Sequence, residues 1–213
     1  MRIVAISDTH CRHRSLKLPK GDVLVHAGDI TNRGQEAEVK DFLKWFAVQP
    51  FSHKVFIAGN HDFFLERARP DTIEKLIPAG VTYLNDSGTC IGNLHIWGTP
   101  VTPWFYNWAF NRQRGQAIRE HWKKIPANTD LLITHGPPFG IMDEVLHEKH
   151  AGCRDLLSRV QEIRPKVHLF GHIHEGYGQV QKNGILYINA SVVNEAYELT
   201  HPPVVFQLEP ALL

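Results

Sequence analysis

The sequence predicts an α/β fold with a partly parallel sheet, and three features carry that expectation. Short apolar, β-branched runs recur along the chain, helical patterns lie between several of them, and polar clusters follow directly on the runs. The runs are Ile3–Ile6, Val23–Val25, Val55–Ile57, Leu94–Trp97, Leu131–Ile133, Val167–Phe170 and Ile185–Ile188. Each is bounded by polar residues or glycine, the pattern of a strand buried on both faces. Alternation with helices argues for parallel pairing, because a parallel strand needs a long crossover connection.

The first run follows one basic residue and leads straight into polar residues, which makes a better strand than a signal peptide. In 35–48 (QEAEVKDFLKWFAV), Val39, Phe42, Leu43 and Phe46 fall at helical spacing. Residues 62–77 and 151–163 read as helices too, with Pro78 and Pro165 as stops. The stretch Thr99–His121 is dense in aromatics and broken by Pro100 and Pro103, a long excursion leading into a helix over 112–123. With no repeat, linker or low-complexity tract, the 213 residues read as one domain, 1–213.

A net charge of +1 offers no broad basic surface, so nucleic acid is a disfavoured partner. No apolar run approaches the roughly 20 residues that span a bilayer, so no membrane partner is expected. Cys11, Cys90 and Cys153 are odd in number and lack CxxC spacing, which argues against a disulfide framework and for a reducing, cytoplasmic setting. Nothing in the composition points to a particular oligomeric state. Fourteen histidines are the unusual feature, and position must decide which of them act.

Five strand ends carry metal-ligand chemistry. They run into Asp8-Thr9-His10, Gly28-Asp29, Gly59-Asn60-His61-Asp62, His135-Gly136 and Gly171-His172-Ile173-His174. Ligands of α/β sheets bind beyond the carboxyl ends of the strands, so the five clusters can converge. In extended chain, residues i and i+2 share a face, so Asp8 with His10, and His172 with His174, can each reach one cluster. Imidazole, carboxylate and carboxamide without thiolate suit Zn, Fe or Mn. Asp8, His10, Asp29, Asn60, His135, His172 and His174 are seven candidate ligands, the number for two ions with one shared carboxylate. Paired ions activate a water and clamp the oxygens of a phosphoryl group. Gly28, Gly59 and Gly171 precede ligands, where the chain must turn tightly. Any one of these motifs is weak, since an Asp-x-His at a strand end is more often a hydrogen-bonded turn; their order and number carry the reading.

In that order the motifs resemble the calcineurin-like metallophosphoesterase superfamily over residues 8–174. The wider context (SDTHCRHR, HAGDITNRG, GNHDFFLE, THGPPFGI, FGHIHEGYG and YINAS) is most similar to its metallophosphoesterase-domain-containing subgroup, known for phosphodiester hydrolysis. The resemblance implies a four-layer α/β/β/α sandwich, two facing mixed sheets flanked by helices. It implies that Asp8, His10 and His174 hold one metal, that Asn60, His135 and His172 hold the other, and that Asp29 bridges. The cofactors would be two divalent ions among Mn, Fe, Zn and Ni, with Mn favoured. His61 would be the catalytic general acid with Asp62 orienting its ring, and a metal-bridging hydroxide the nucleophile. The expected substrate is a small-molecule phosphodiester or phosphomonoester, a cyclic or mononucleotide foremost. A non-catalytic scaffold on the same fold and a nuclease are the competing readings.

The superfamily's protein phosphatases carry Gly-Asp-x-Val-Asp-Arg-Gly, whereas this chain has Asn32 at the second aspartate, which argues against protein phosphatase activity. Arg33 and Trp104 are the candidate substrate contacts. Arg33 reads alternatively as an exposed helix-start arginine, and Trp104, with Phe105, Tyr106, Trp108 and Phe110, as core or interface rather than a base-stacking surface. His26 is either a brace for a ligand or a core histidine. His168 reads as structural, and His13, His53, His121, His147, His150 and His201 as surface residues. Cys11 reads as packing, and 136–140 (GPPFG) as a rigid loop at the pocket rim.

Overall fold

A computed structural model describes residues 1–146 and 150–209, so His147 lies outside the described residues. Strands β1 (Arg2–Ile6), β2 (Val23–Ala27), β3 (His53–Ile57) and β4 (Val81–Leu84) pair in parallel in that order. The next strands are β5 (Ser87–Ile91), β6 (Leu94–Thr99), the short pair β7 (Thr102–Pro103) and β8 (Asn111–Arg112), and β9 (Leu131–Thr134). Then come β10 (Val167–Phe170), β11 (Gly178–Lys182), β12 (Ile185–Asn189) and β13 (Val204–Gln207). One sheet has the order β13-β1-β2-β3-β4 and the other β11-β12-β10-β9-β6-β5. In each the central strands are parallel, while β13, β11 and β5 run antiparallel at edges. Helices are α1 (Glu36–Ala47), α2 (Phe63–Arg67), α3 (Pro70–Leu76), α4 (Gln116–Trp122) and α5 (Arg154–Ile163).

Residue alternation builds the layers. In β1, Ile3 and Ala5 face the second sheet, against Leu131, Leu169 and Ile188, whereas Val4 and Ile6 face Phe42, Leu43 and Phe46 of α1. On the far side, Leu132, Phe170 and Tyr187 pack on Ile118 and Trp122 of α4 and on Leu156 and Val160 of α5. Helix, sheet, sheet and helix form the four layers expected, and the central strands are apolar throughout because both faces are covered. The sheets meet at their carboxyl edges, where the Ser7 amide donates to Ala190 O at 2.8 Å.

Several elements differ from expectation. The helix over 62–77 is two, because Pro70 bars its predecessor from helical geometry. Ala68 and Arg69 are extended (ψ 147° and 145°), and Pro70 starts α3. The helix over 112–123 begins only at Gln116, since Gly115 turns the chain with φ 86° and Asn111–Arg112 pair with β7 instead. Helix α5 begins at Arg154, where the Cys153 thiol accepts the Leu156 amide. Strands β4, β5 and β11 carry no comparable apolar run, and β13 has only the short Val204–Phe206. His13 is buried, its Nε2 3.2 Å from Asp41. His121, His150 and His201 are half-buried, bonded to Asp86, Asp143 and the Ser191 carbonyl. No helix among the described residues is long and apolar enough to cross a membrane.

Candidate metal centre

Beyond the carboxyl ends of β1, β2, β3, β9 and β10, the five motif loops converge. Backbone hydrogen bonds lace them: the Asp8 amide to Gly28 O at 2.9 Å, His10 to Asp29 O at 3.1 Å and Gly171 to His135 O at 2.9 Å. Asp8, His10, Asp29 and His172 are left-handed, with φ of 56°, 41°, 55° and 68°. Each such backbone costs on the order of 1 kcal/mol or more, and such strain persists where the surroundings over-determine it, as at functional sites. Asp8 and His10 therefore converge through tight turns, not along extended chain. The turn at His172 likewise sends it and His174 to different groups.

Asp8, His10 and His174 place one ligand atom each within 4.8 Å of one another, and so do Asp29, His135 and His172. Asn60 Oδ1 joins the second group, 2.9 Å from His135 Nε2. Asp29 stands between the groups, Oδ2 lying 3.3 Å from His135 Nε2 and 3.8 Å from His10 Nε2. Closeness depends on glycine. A side chain on Gly171 would run into Ser7 and the Asp8 carboxylate, and one on Gly59 into Asp29 and His135.

The histidines are held for ligation. Nδ1 of His10, His135 and His174 meets the carbonyls of Thr31 (3.2 Å), Ala27 (3.0 Å) and Asn194 (3.0 Å). A carbonyl only accepts, so each Nδ1 donates outward and each Nε2 is the ring atom that faces the centre. His10 Nε2 is buried without a hydrogen-bond partner. An orphaned basic nitrogen beside two carboxylates fits a divalent ion. His26 braces the loops, its Nε2 2.9 Å from Thr9 Oγ1 and its Nδ1 accepting the Gly28 amide.

The carboxylates and imidazoles of the centre hold one another's charge. Burial acts to raise the Asp8 carboxyl, but the His174 hydrogen bond and the charges at His135 and His174 outweigh it and hold it well below the usual range. Burial likewise opposes ionisation of Asp29, and His135 and His61 outweigh it. Burial disfavours the charged His135 ring, but the Asp29 charge and hydrogen bond raise it to about 9. Burial lowers His172 to about 3, with the His135 charge adding to it.

His61 stands beside the centre, its ring 4.6 Å from that of His10. Its Nδ1 donates to the Asn32 carbonyl at 2.9 Å and its amide to Asp29 Oδ1 at 2.7 Å. Asp62 does not orient the His61 ring, contrary to expectation. Its buried carboxylate instead accepts the amides of Gly59, Ile30 and Thr31 and the Thr31 hydroxyl at 2.7–3.2 Å. Burial, reinforced by the Asp29 charge, raises Asp62 to about 6 against those hydrogen bonds. Asp62 clamps the loop; Asn32 orients the ring.

The aromatic excursion reaches the site through a different residue from the one anticipated. Trp104 is 52% exposed beside Phe105 and Tyr106. Trp108 instead stacks on His61, with centroids 4.4 Å apart and planes 32° apart, because the Ala109 amide is tied to Asn60 O and the Phe110 amide to Glu66. Arg33 is exposed, its amide bound to Glu38, and its side chain enters no ion pair among the described residues. Cys11 touches Glu38, and burial with that charge pushes its thiol up to about 11. Sequence reasoning missed Tyr197, whose ring lies 4.7 Å from His10 and 5.3 Å from His174. It sits in a polar turn with no motif to mark it.

Comparison with known proteins agrees with this geometry. A family model of calcineurin-like phosphoesterases matches residues 1–176. Metallophosphoesterase domain-containing protein 1 of Homo sapiens is 41% identical over 97% of this chain and 71% of that protein. A UPF0046 protein of Caenorhabditis elegans is 36% identical over 98% of this chain and 75% of its own length. In structure, the chain matches one solved structure at TM-score 0.69 and 15% identity, over 98% of this chain and 99% of that one. It matches TT1561 of Thermus thermophilus at TM-score 0.59 and 12% identity, over 88% of each chain. The shared fold, the family match over most of the chain and relatives at this identity together establish that the chain belongs to the calcineurin-like phosphoesterase family.

Proposed function

We propose that this protein is a binuclear metal-dependent phosphoesterase that hydrolyses a small-molecule phosphodiester or phosphomonoester, a nucleotide foremost. The observation that carries the reading is that the Asp8, His10 and His174 group and the Asp29, His135 and His172 group are joined by Asp29, which also groups with His10 and His61. Asp8, His10 and His174 would hold one ion, Asn60, His135 and His172 the other, and Asp29 both, with Mn favoured among Mn, Fe, Zn and Ni. Bound there, the two ions would supply an activated water and charge neutralisation for the phosphoryl oxygens.

The protein's own groups do the rest. Asn32 O accepts a hydrogen bond from His61 Nδ1–H, so the proton that His61 gives to the leaving oxygen comes from Nε2. Trp108 covers the ring and limits its rotation. Asp62 holds the backbone of the Asp29 and Asn60 loops in register. Arg33 and Trp104, both exposed, stay candidate substrate contacts, with Trp108 the residue of that segment that meets His61. The chain acts as one domain, and three unpaired cysteines support a reducing, cytoplasmic setting.

His61→Ala tests this reading. The purified variant keeps its bound metal and loses about 10²- to 10⁴-fold in kcat on bis(4-nitrophenyl) phosphate. Wild-type turnover by the variant would refute the assignment. Bound ions without hydrolysis under Mn, Zn, Ni or Fe in the wild type would restore the scaffold reading.

A further inference from the structure

Two aromatic rings flank His61, and they differ in what they have left to offer. Trp108 is half-buried and committed to packing: its ring is tilted 32° to that of His61 and 28° to that of Phe63, 6.0 Å away, and Arg67 caps Phe63 at 4.7 Å. Tyr197 stands roughly perpendicular to three histidines, at 74° to His10, 63° to His61 and 87° to His174, and keeps 38% of its surface in solvent. Among the described residues it is the one exposed aromatic whose ring meets the histidines of the centre.

Its place is built, not incidental. Asn194 Oδ1 accepts the amides of Ala196 and Glu198 at 3.0 and 2.9 Å, closing the turn in which Tyr197 adopts φ 60°. The Asn194 carbonyl accepts both the Tyr197 amide at 2.9 Å and His174 Nδ1 at 3.0 Å. One backbone oxygen thus sets both the ring and a candidate metal ligand. The turn lies beyond residue 176, outside the span that the family model matches.

We infer that Tyr197 contacts the organic group of the substrate, and that this group carries a planar aromatic ring, as in an aryl phosphoester or a nucleotide. The inference rests on the phosphoesterase reading, which places the phosphoryl group at the metal centre. An ester held there, with its leaving oxygen at His61, extends its organic group past the rings that border His61. Trp108 is spent on the His61 face, so the free aromatic surface is that of Tyr197. A planar ring packs on it; a methyl group is too small to gain from it.

The test compares competitive inhibition of the Mn-loaded enzyme by phenyl phosphate and by methyl phosphate, in wild type, Tyr197→Ala and Tyr197→Phe, with bound metal measured in each. Tyr197→Ala is expected to weaken phenyl phosphate by about 5- to 100-fold, the range for lost aromatic stacking. Methyl phosphate stays within about twofold, metal content is unchanged, and Tyr197→Phe retains the preference for phenyl. Equal weakening of both esters, or of neither, overturns the inference and leaves the phosphoesterase reading standing. A wild type that binds neither ester overturns the inference alone, whereas a metal-loaded wild type that hydrolyses no phosphoester overturns both.

Discussion

The carboxylate of Asp29 and the backbone of His61 are joined by a hydrogen bond of 2.7 Å, from the His61 amide to Oδ1. The other oxygen of Asp29 faces His135 and His10. The residue proposed to share two ions therefore also sets where the proposed general acid begins, so losing it disturbs metal and acid together. Asp29→Asn separates the two roles, because the amide oxygen still accepts from His61 while the charge is gone. The variant is expected to fold, and metal analysis should find its affinity at least about tenfold weaker. Full metal content in Asp29→Asn would remove Asp29 from the ligand set.

Trp108 and Trp104 give a contrast within one segment. Trp108 holds the His61 ring, and small misplacement of a catalytic group costs up to roughly 10²-fold in rate. Trp108→Ala should lower kcat by about 10- to 100-fold with metal retained, while Trp104→Ala, at an exposed position, should leave kcat within about twofold. Steady-state kinetics on the same chromogenic diester decide it; equal effects would sever Trp108 from His61.

Asp62 is a matter of stability first. Asp62→Ala leaves the buried amides of Gly59, Ile30 and Thr31 without their acceptor. Each unsatisfied donor costs about 1–3 kcal/mol, partly relieved by entering water. A net loss of roughly 2–4 kcal/mol, read as a fall of roughly 5–15 °C in Tm, is the expected result. An unshifted Tm would contradict the clamp.

His168 predicts acid sensitivity independent of the centre. It is fully buried in β10, with Nε2 2.8 Å from Thr134 Oγ1. The Thr134 hydroxyl gives its proton to Gly136 O, so His168 Nε2 is the donor and Nδ1 is left without a partner. Burial lowers the ring to about 3 from the ordinary 6.5. The unfolded chain thus binds a proton that the folded chain refuses. The stability is complete above pH 6.5 and falls as pH drops toward 3, by up to about 1.4 kcal/mol per pH unit. Denaturant melts at pH 7 and pH 5 should show a smaller difference in His168→Leu than in wild type. An identical difference would mean that other groups set the acid limit.

Much of this protein is legible in its sequence, and the illegible part has a pattern. Seven strands read from apolar runs are β1, β2, β3, β6, β9, β10 and β12, all central in their sheets. The four strands of the two large sheets that were not read this way, β4, β5, β11 and β13, are their four edges. A central strand is covered on both faces and must be apolar residue after residue; an edge strand is held by ladder hydrogen bonds that leave no mark on side-chain type. In the same way the ligand-type residues were visible at the strand ends, because only a few side chains bind metal.

What the sequence alone determined is the class of chemistry: which residues stand at the ends of which strands, and that their number suits two ions. Tertiary structure decided who touches whom. Asn32, not Asp62, orients His61, because the bond uses a backbone carbonyl that every residue has. Trp108, not Trp104, meets that ring, because the tie from Ala109 to Asn60 sets the phase of the excursion. Tyr197 joins the centre from a segment 23 residues beyond the last motif histidine, His174 (197 − 174). Contacts made through backbone and across long separations have no local spacing to read, and they are what turn a set of ligands into a site.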